Sequence, residues 1–246
     1  LYPGATYPYG MVQFTPSYFS KRSGFVINQL SGGGCEHMGN FPTFPVKGKL
    51  KMSPDNILNY RINISEEKGH AGYYEAMVQE DIKAKLTVTE RTGMASYEYP
   101  ADQQYGTVII GGGISATPIE QAAIVITAPN KCEGYAEGGN FCGLRTPYKV
   151  YFVAEFDTDA LESGTWKRNE LKPNTTFAEG EYSGVYFTFD VNKKKNIQYK
   201  IGVSYVSVEN ARENLKAENT GWDFLQIQNQ AESKWNHYLG MIEVEG

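Results

Sequence analysis

Several things are scarce in this sequence, and each scarcity removes a class of function. There are three cysteines, Cys35, Cys132 and Cys142, and no C-x-x-C pair. That speaks against a zinc ribbon or a thioredoxin-like centre and leaves room for at most one disulfide with a free thiol. Lys and Arg number 23 against 28 Asp and Glu, a net charge of −5. The basic stripe that binding to nucleic acid requires is missing. Its one basic run, Lys193-Lys194-Lys195, lies between two strand-like segments and reads as a solvated hairpin tip. No apolar run approaches the roughly 18 residues of a membrane span. The three histidines, His37, His70 and His237, are scattered. No G-x-S-x-G elbow is present, and Gly111-Gly112-Gly113 is not followed by the Gly-Lys-Ser/Thr of a phosphate loop. The 28 acids show no spacing that singles out a catalytic pair.

What is abundant is β-strand chemistry. There are 18 Tyr and 12 Phe, residues that favour strands and fill sandwich cores. Period-two alternation is clearest in Ile82-Lys83-Ala84-Lys85-Leu86-Thr87-Val88-Thr89. The same pattern predicts strands at Val46–Met52, Tyr73–Gln79, Gly93–Tyr99, Thr107–Ile110, Ala122–Thr127, Tyr148–Phe156, Tyr182–Phe189 and Ile197–Val208. Turn signals separate them, among them Ser53-Pro54-Asp55-Asn56, Ala128-Pro129-Asn130 and Gly138-Gly139-Asn140. Many strands with no helices between them predict an all-β fold, a large antiparallel β-sandwich. Helical spacing appears late. Val208, Ala211 and Leu215 share one face, and Phe224, Ile227, Ala231, Trp235 and Tyr238 form a second stripe that stops at Gly240. The chain opens at Leu1 and runs past that helix into a short extended tail, so it reads as the front part of something larger.

Two loops stand out. Ser31-Gly32-Gly33-Gly34-Cys35-Glu36-His37 sets three glycines before a compact polar triplet, which fits a corner of a β-domain or a backbone that approaches a ligand. Three adjacent residues rarely close one metal sphere, so no metal is expected at that triplet. Gly139-Asn140-Phe141-Cys142-Gly143 brackets an aromatic and a thiol with glycines. It reads either as a hairpin with an inward Phe or as a rim loop presenting that ring.

Several segments together resemble glycoside hydrolase family 92, the calcium-dependent exo-α-mannosidases. Tyr2-Pro3-Gly4-Ala5-Thr6-Tyr7-Pro8-Tyr9-Gly10-Met11-Val12-Gln13 is similar to that family's PGA-x-x-PFGMVQ signature. Leu30 to Cys35 resembles its LSG-x-GC loop, Gly72-Tyr73-Tyr74 its GYY segment, and Thr89-Glu90-Arg91-Thr92-Gly93 its TER-x-G segment. Gly202 to Ala211 is similar to the block closing its N-terminal domain, and Trp235-Asn236 with Leu239-Gly240 to its exit helix.

The resemblance implies a supersandwich of the galactose-mutarotase type over residues 1–220, followed at 221–246 by an exit helix and linker to a C-terminal (α/α)-barrel. It implies an exo-acting, inverting α-mannosidase. In such an enzyme the catalytic carboxylates and most calcium ligands come from the barrel, and calcium is the cofactor. This domain is then inactive alone, shapes the site and docks the barrel. The implied partner is a mannose-containing glycan and the implied location periplasmic or secreted, in a bacterial setting.

The resemblance assigns Phe141 and Cys142 to substrate contact, with Gly33, Gly34, Cys35 and His37 facing the same site. Phe25-Val26-Ile27-Asn28-Gln29 departs from the family's F-S-H-x-H, and Tyr18 to Ser23 is shorter than the corresponding region, so the linkage cleaved stays open. No Cys35–Cys142 disulfide is expected, because a loop that must meet a ligand gains little from a staple. Trp222, Trp235 and Tyr238 are expected to lack partners within this domain. The alternative from another class is a free-standing carbohydrate-binding or adhesion β-sandwich.

Overall fold

The computed structural model describes residues 4–17, 24–30, 33–55 and 63–242. Ser31, Gly32, the tract from Tyr18 to Ser23, Asn56 and the tail from Glu243 lie outside the described residues.

Alternating burial along the strands builds two antiparallel sheets. The eight-stranded sheet has the order β1 (Ala5–Thr6), β2 (Gln13–Pro16), β3 (Phe25–Val26), β4 (Thr43–Lys47), β9 (Tyr105–Gly111), β16 (Ser183–Asp190), β13 (Glu162–Lys167), β14 (Glu170–Pro173). The nine-stranded sheet runs β15 (Phe177–Glu179), β10 (Ile119–Ala128), β11 (Lys131–Phe141), β12 (Leu144–Phe156), β17 (Asn196–Ser204), β8 (Thr92–Glu98), β7 (Ile82–Val88), β6 (Tyr73–Val78), β5 (Ile64–His70). Strand β7 shows the pattern cleanly: Ile82, Ala84 and Leu86 are buried, while Lys83 and Lys85 stay half-exposed.

Aromatic side chains fill the space between the sheets. Phe156 of β12 meets Phe187 and Phe189 of β16 at 4.9 and 5.0 Å between ring centroids. Phe25 of β3 stacks on Tyr97 of β8 at 6.4 Å, and Phe41 packs on Phe152 at 4.2 Å. Each fully buried ring contributes about 1.5–3 kcal/mol of burial free energy. Most of the phenylalanine goes into this core, Phe14, Phe25, Phe41, Phe44, Phe152, Phe156, Phe187 and Phe189 being buried, together with the tyrosines Tyr74, Tyr97, Tyr99, Tyr186 and Tyr199.

Two helices follow the sandwich. Helix α1 (Val208–Glu218) is capped by Ser207, whose hydroxyl accepts the Asn210 N–H at 3.1 Å. It lays Ala211 and Leu215 on Val153 of the nine-stranded sheet. Helix α2 (Phe224–Leu239) starts at Asp223, whose carboxylate accepts the Gln226 N–H at 3.0 Å, and ends at Gly240. It buries Ile227 and Ala231.

The expected strand over Val46–Met52 ends at Lys47, where Gly48 turns the chain at φ +74°. The one expected over Ile197–Val208 stops at Ser204, because the Ser207 cap starts a helix. Gly138-Gly139-Asn140 is not a turn but a bulged stretch inside β11, where the register against β12 shifts between Gly138 and Asn140.

Candidate functional site

The β11–β12 hairpin carries the second suggestive loop. Phe141 pairs with Leu144, so Cys142 and Gly143 alone form the turn. Both have positive φ, 52° and 82°, the combination a two-residue hairpin of matching twist requires. Glycine meets that demand at no steric cost; Cys142 meets it with the strain of a left-handed non-glycine residue. Phe141 is half-buried at the hairpin's end, while Cys142 and Gly143 are exposed.

The segment between β3 and β4 comes to meet this tip. A disulfide joins Cys35 to Cys142 with their Cα atoms 5.4 Å apart, across 107 residues of sequence. This overturns the expectation of separate thiols. The loops belong to different sheets, and a covalent tie lets a glycine-rich segment hold one position against the hairpin. Gly33 lies directly on the Phe141 ring: a Cβ there would sit 3.0 Å from the ring's Cζ. Gly34 and Gly33 are exposed, and Cys35 is half-buried.

His37 lies inward of these residues. It is only 6% exposed, with its ring 5.3 Å from Phe141 and 5.5 Å from Tyr148. Its Nδ1 is buried and has no hydrogen-bond partner. The expected contact residue is therefore a packed support under the Phe141 ring in this structure. The structure thus brings together all six residues expected from the sequence: Gly33, Gly34, Cys35, His37, Phe141 and Cys142.

Behind His37 is a polar network that sequence reading missed. Asn28 and Asn40 pair twice, through Asn40 N–H to Asn28 Oδ1 at 2.7 Å and Asn28 Nδ2 to Asn40 Oδ1 at 3.1 Å. The Tyr148 hydroxyl donates to Asn40 Oδ1 at 2.9 Å, and Asn28 Nδ2 reaches the Tyr205 hydroxyl at 3.4 Å. Burial pushes the Tyr148 hydroxyl above its ordinary range, opposed by the bonds to Asn40 and Ser115. Burial raises Tyr205 likewise. The one signal in sequence is polar Asn28-Gln29 directly after apolar Phe25-Val26-Ile27.

The chemistry at this end is that of contact and orientation. Both sulfurs are engaged in the disulfide, so neither is a thiolate nucleophile. Of the neighbouring acids, Glu120 pairs with Arg145 at 3.1 Å and Glu137 with Lys149 at 3.3 Å. Among the described residues no group of three or more His, Cys, Asp or Glu side chains could hold a metal ion.

The other conspicuous surface follows α2. A cleft of about 860 Å³ includes Tyr7, Gln226, Gln230, Ser233 and His237 in its walls. Leu225, Leu239, Met241 and Ile242 are exposed on and beyond the helix, as is Tyr9 beside it. The three rings expected to lack partners do have them. The Trp235 Nε1 donates to the Thr6 carbonyl at 2.7 Å. Tyr238 packs edge-on to Tyr9 at 5.4 Å, and Lys200 lies over the Trp222 ring at 4.4 Å. Aliphatic side chains, not these aromatics, make up the bare apolar surface. No helix among the described residues is long and apolar enough to cross a membrane.

A model of the glycosyl hydrolase family 92 N-terminal domain matches residues 1–204. A protein from Arthroderma benhamiae described as an uncharacterized secreted glycosidase is 25% identical, over 99% of this chain and 36% of its own length. Among solved structures, the family 92 glycosyl hydrolase ccman5 is similar at TM-score 0.87 and 22% identity, covering 99% of this chain and 35% of that one. The inverting mannosidase BT2199 of Bacteroides thetaiotaomicron is similar at TM-score 0.85 and 24% identity, covering 100% and 34%. The chain spans about a third of the length of these relatives.

Proposed function

The chain belongs to glycosyl hydrolase family 92, through its N-terminal domain, and from that premise we propose that it is the substrate-shaping half of an exo-acting, inverting α-mannosidase. It supplies one wall of the site that receives terminal α-linked mannose of a glycan. One observation carries the reading: two loops of different sheets converge so that Phe141, Gly33, Gly34 and the Cys35–Cys142 disulfide share one end, with His37 beneath. A half-buried ring on a glycine-rich surface suits the apolar C–H face of a sugar.

Inversion needs a general acid and a general base roughly 6.5–9.5 Å apart. We assign that pair, and the calcium ligands, to the part of the enzyme beyond this chain. The cleft and the bare aliphatic residues along α2 are our choice for the face on which that part docks. Export to an oxidising compartment, periplasmic or extracellular, fits an exposed disulfide.

The test is kinetic. The full-length protein should release mannose from α-linked mannobioses, the first-formed product being the β-anomer by NMR, and this chain alone should release none. In the full-length protein Phe141→Ala should lower kcat/KM by about 1–3 kcal/mol equivalent, the scale of a lost ring contact. Unchanged kcat/KM in that variant contradicts the proposed wall.

A further inference from the structure

Cys35 and Cys142 tie unlike elements. Cys35 lies in the irregular segment between two strands of the eight-stranded sheet; Cys142 is at the tip of a hairpin of the nine-stranded sheet. The backbone hydrogen bonds flanking the Cys35 segment are Leu30 N–H to His37 O at 3.2 Å and Ala116 N–H to Met38 O at 2.8 Å. Both lie at its inner end. Towards solvent, Gly33, Gly34 and residues 142–147 are exposed. Phe141 is thus bounded by a glycine contact, one buried histidine ring and the covalent bond.

We infer that the Cys35–Cys142 disulfide is a positioning element for Phe141, and that glycan affinity falls when this bond is reduced. The inference rests on the mannoside-site reading above. The paired β11–β12 strands carry Phe141 up to the turn; without the bond, the exposed Gly33–Gly34 backbone is free to move off the hairpin, and the ring loses its fixed seat on Gly33. Cys142 is exposed, so a small dithiol reaches its sulfur. A dithiol thiolate attacks, the S–S bond breaks, and the reagent's second thiol closes its own disulfide. The two electrons pass to Cys35 and Cys142, which take up protons as thiols. Cys132 stays out of this exchange: it is buried in the core, and burial pushes its thiol far above the ordinary range.

The experiment compares four forms of the full-length enzyme at a temperature well below unfolding: oxidised wild type, wild type reduced with excess dithiothreitol, the Cys35→Ser/Cys142→Ser double variant, and Phe141→Ala. Reducing the folded wild type covers the case in which the double variant fails to fold. The KM for an α-mannobiose should rise about three- to tenfold on reduction, with kcat within about twofold, and reoxidation should restore it. Hydrogen exchange should quicken at residues 33–40 and 139–147 alone. A core variant of comparable stability loss, Val150→Ala, should keep the wild-type KM. If Phe141→Ala raises KM but reduction leaves both KM and exchange unchanged, the positioning role is overturned and the site reading stands. If reduction quickens exchange while Phe141→Ala is silent, the site reading fails instead.

Discussion

The hairpin end and the α2 face are fastened in opposite ways. At the hairpin end, two loops with little mutual backbone bonding are joined by one covalent bond, and the polar groups behind them are buried, with His37 Nδ1 and Asn40 Nδ2 left without partners. At α2 no covalent tie exists among the described residues, and many small contacts act together. Trp235 donates to the Thr6 carbonyl, Phe224 packs edge-on to Tyr73 at 6.3 Å, and Ile227 and Ala231 are buried. Just before the helix, the end of α1 is held by Lys200, which donates to the Asn219 carbonyl at 3.0 Å, and by Glu218, which accepts from the Thr89 hydroxyl at 2.6 Å and the Arg91 N–H at 2.8 Å. Distributed contacts give a helix a defined seat while leaving its outer side free for a partner. A single staple gives a short loop a defined position without needing a core beneath it.

Breaking the staple should produce the largest stability effect. Loop closure over this separation makes removal of the Cys35–Cys142 bond cost about 2–5 kcal/mol, read by urea unfolding of oxidised and reduced protein. A loss below about 1 kcal/mol would mean that the loops are held by their packing. The α2 seat should respond less. Gly72, at φ +78°, faces the helix so closely that a Cβ would lie 2.6 Å from the Ala231 Cβ. Gly72→Ala should cost about 1–3 kcal/mol through strain and overpacking, and should quicken exchange in α2 but not at the hairpin end.

The acid limb of stability offers the smallest effect. The Glu75 carboxyl is held below its ordinary 4.5, first by the Tyr73 hydroxyl, which donates to it at 2.6 Å, then by Lys83 and Lys68, against desolvation. A lowered carboxylate contributes stability that is present above pH 4.5 and lost as pH falls through the folded-state value. Tyr73→Phe should therefore be less stable than wild type above pH 4.5 and converge with it below the folded pKa of Glu75. Urea unfolding from pH 7 down to pH 3 checks this; a constant gap across that range would show that the Tyr73 hydroxyl acts independently of the charge on Glu75.

What could be read from the sequence follows physical periodicity. Strands β6 and β7 and helices α1 and α2 carry one buried face each, so alternation and the helical stripe mark them. Strand β11 escaped because its glycines look like punctuation. Gly134 is there because strands approach closely: a Cβ would lie 2.1 Å from the Ala123 carbonyl oxygen. Strands β13 to β15 are short and lie toward the sheet edges, with charged residues and little alternation to detect. At the site, the motif resemblance brought the six residues together, but not their fastening. Whether cysteines 107 residues apart pair is decided by the meeting of two sheets, which no local pattern encodes. The Asn28–Asn40–Tyr148 network was missed for the same reason, being assembled from three separate segments.

The central claim is that mannoside contact lies at the Cys35–Cys142 end of this chain and not along α2. Hydrogen exchange of the full-length protein, with and without saturating mannose or an iminosugar inhibitor of α-mannosidases, tests it most directly. The account predicts slowed exchange at residues 33–40 and 139–147, with residues 224–239 unchanged. Protection along α2 with none at the two joined loops would contradict it.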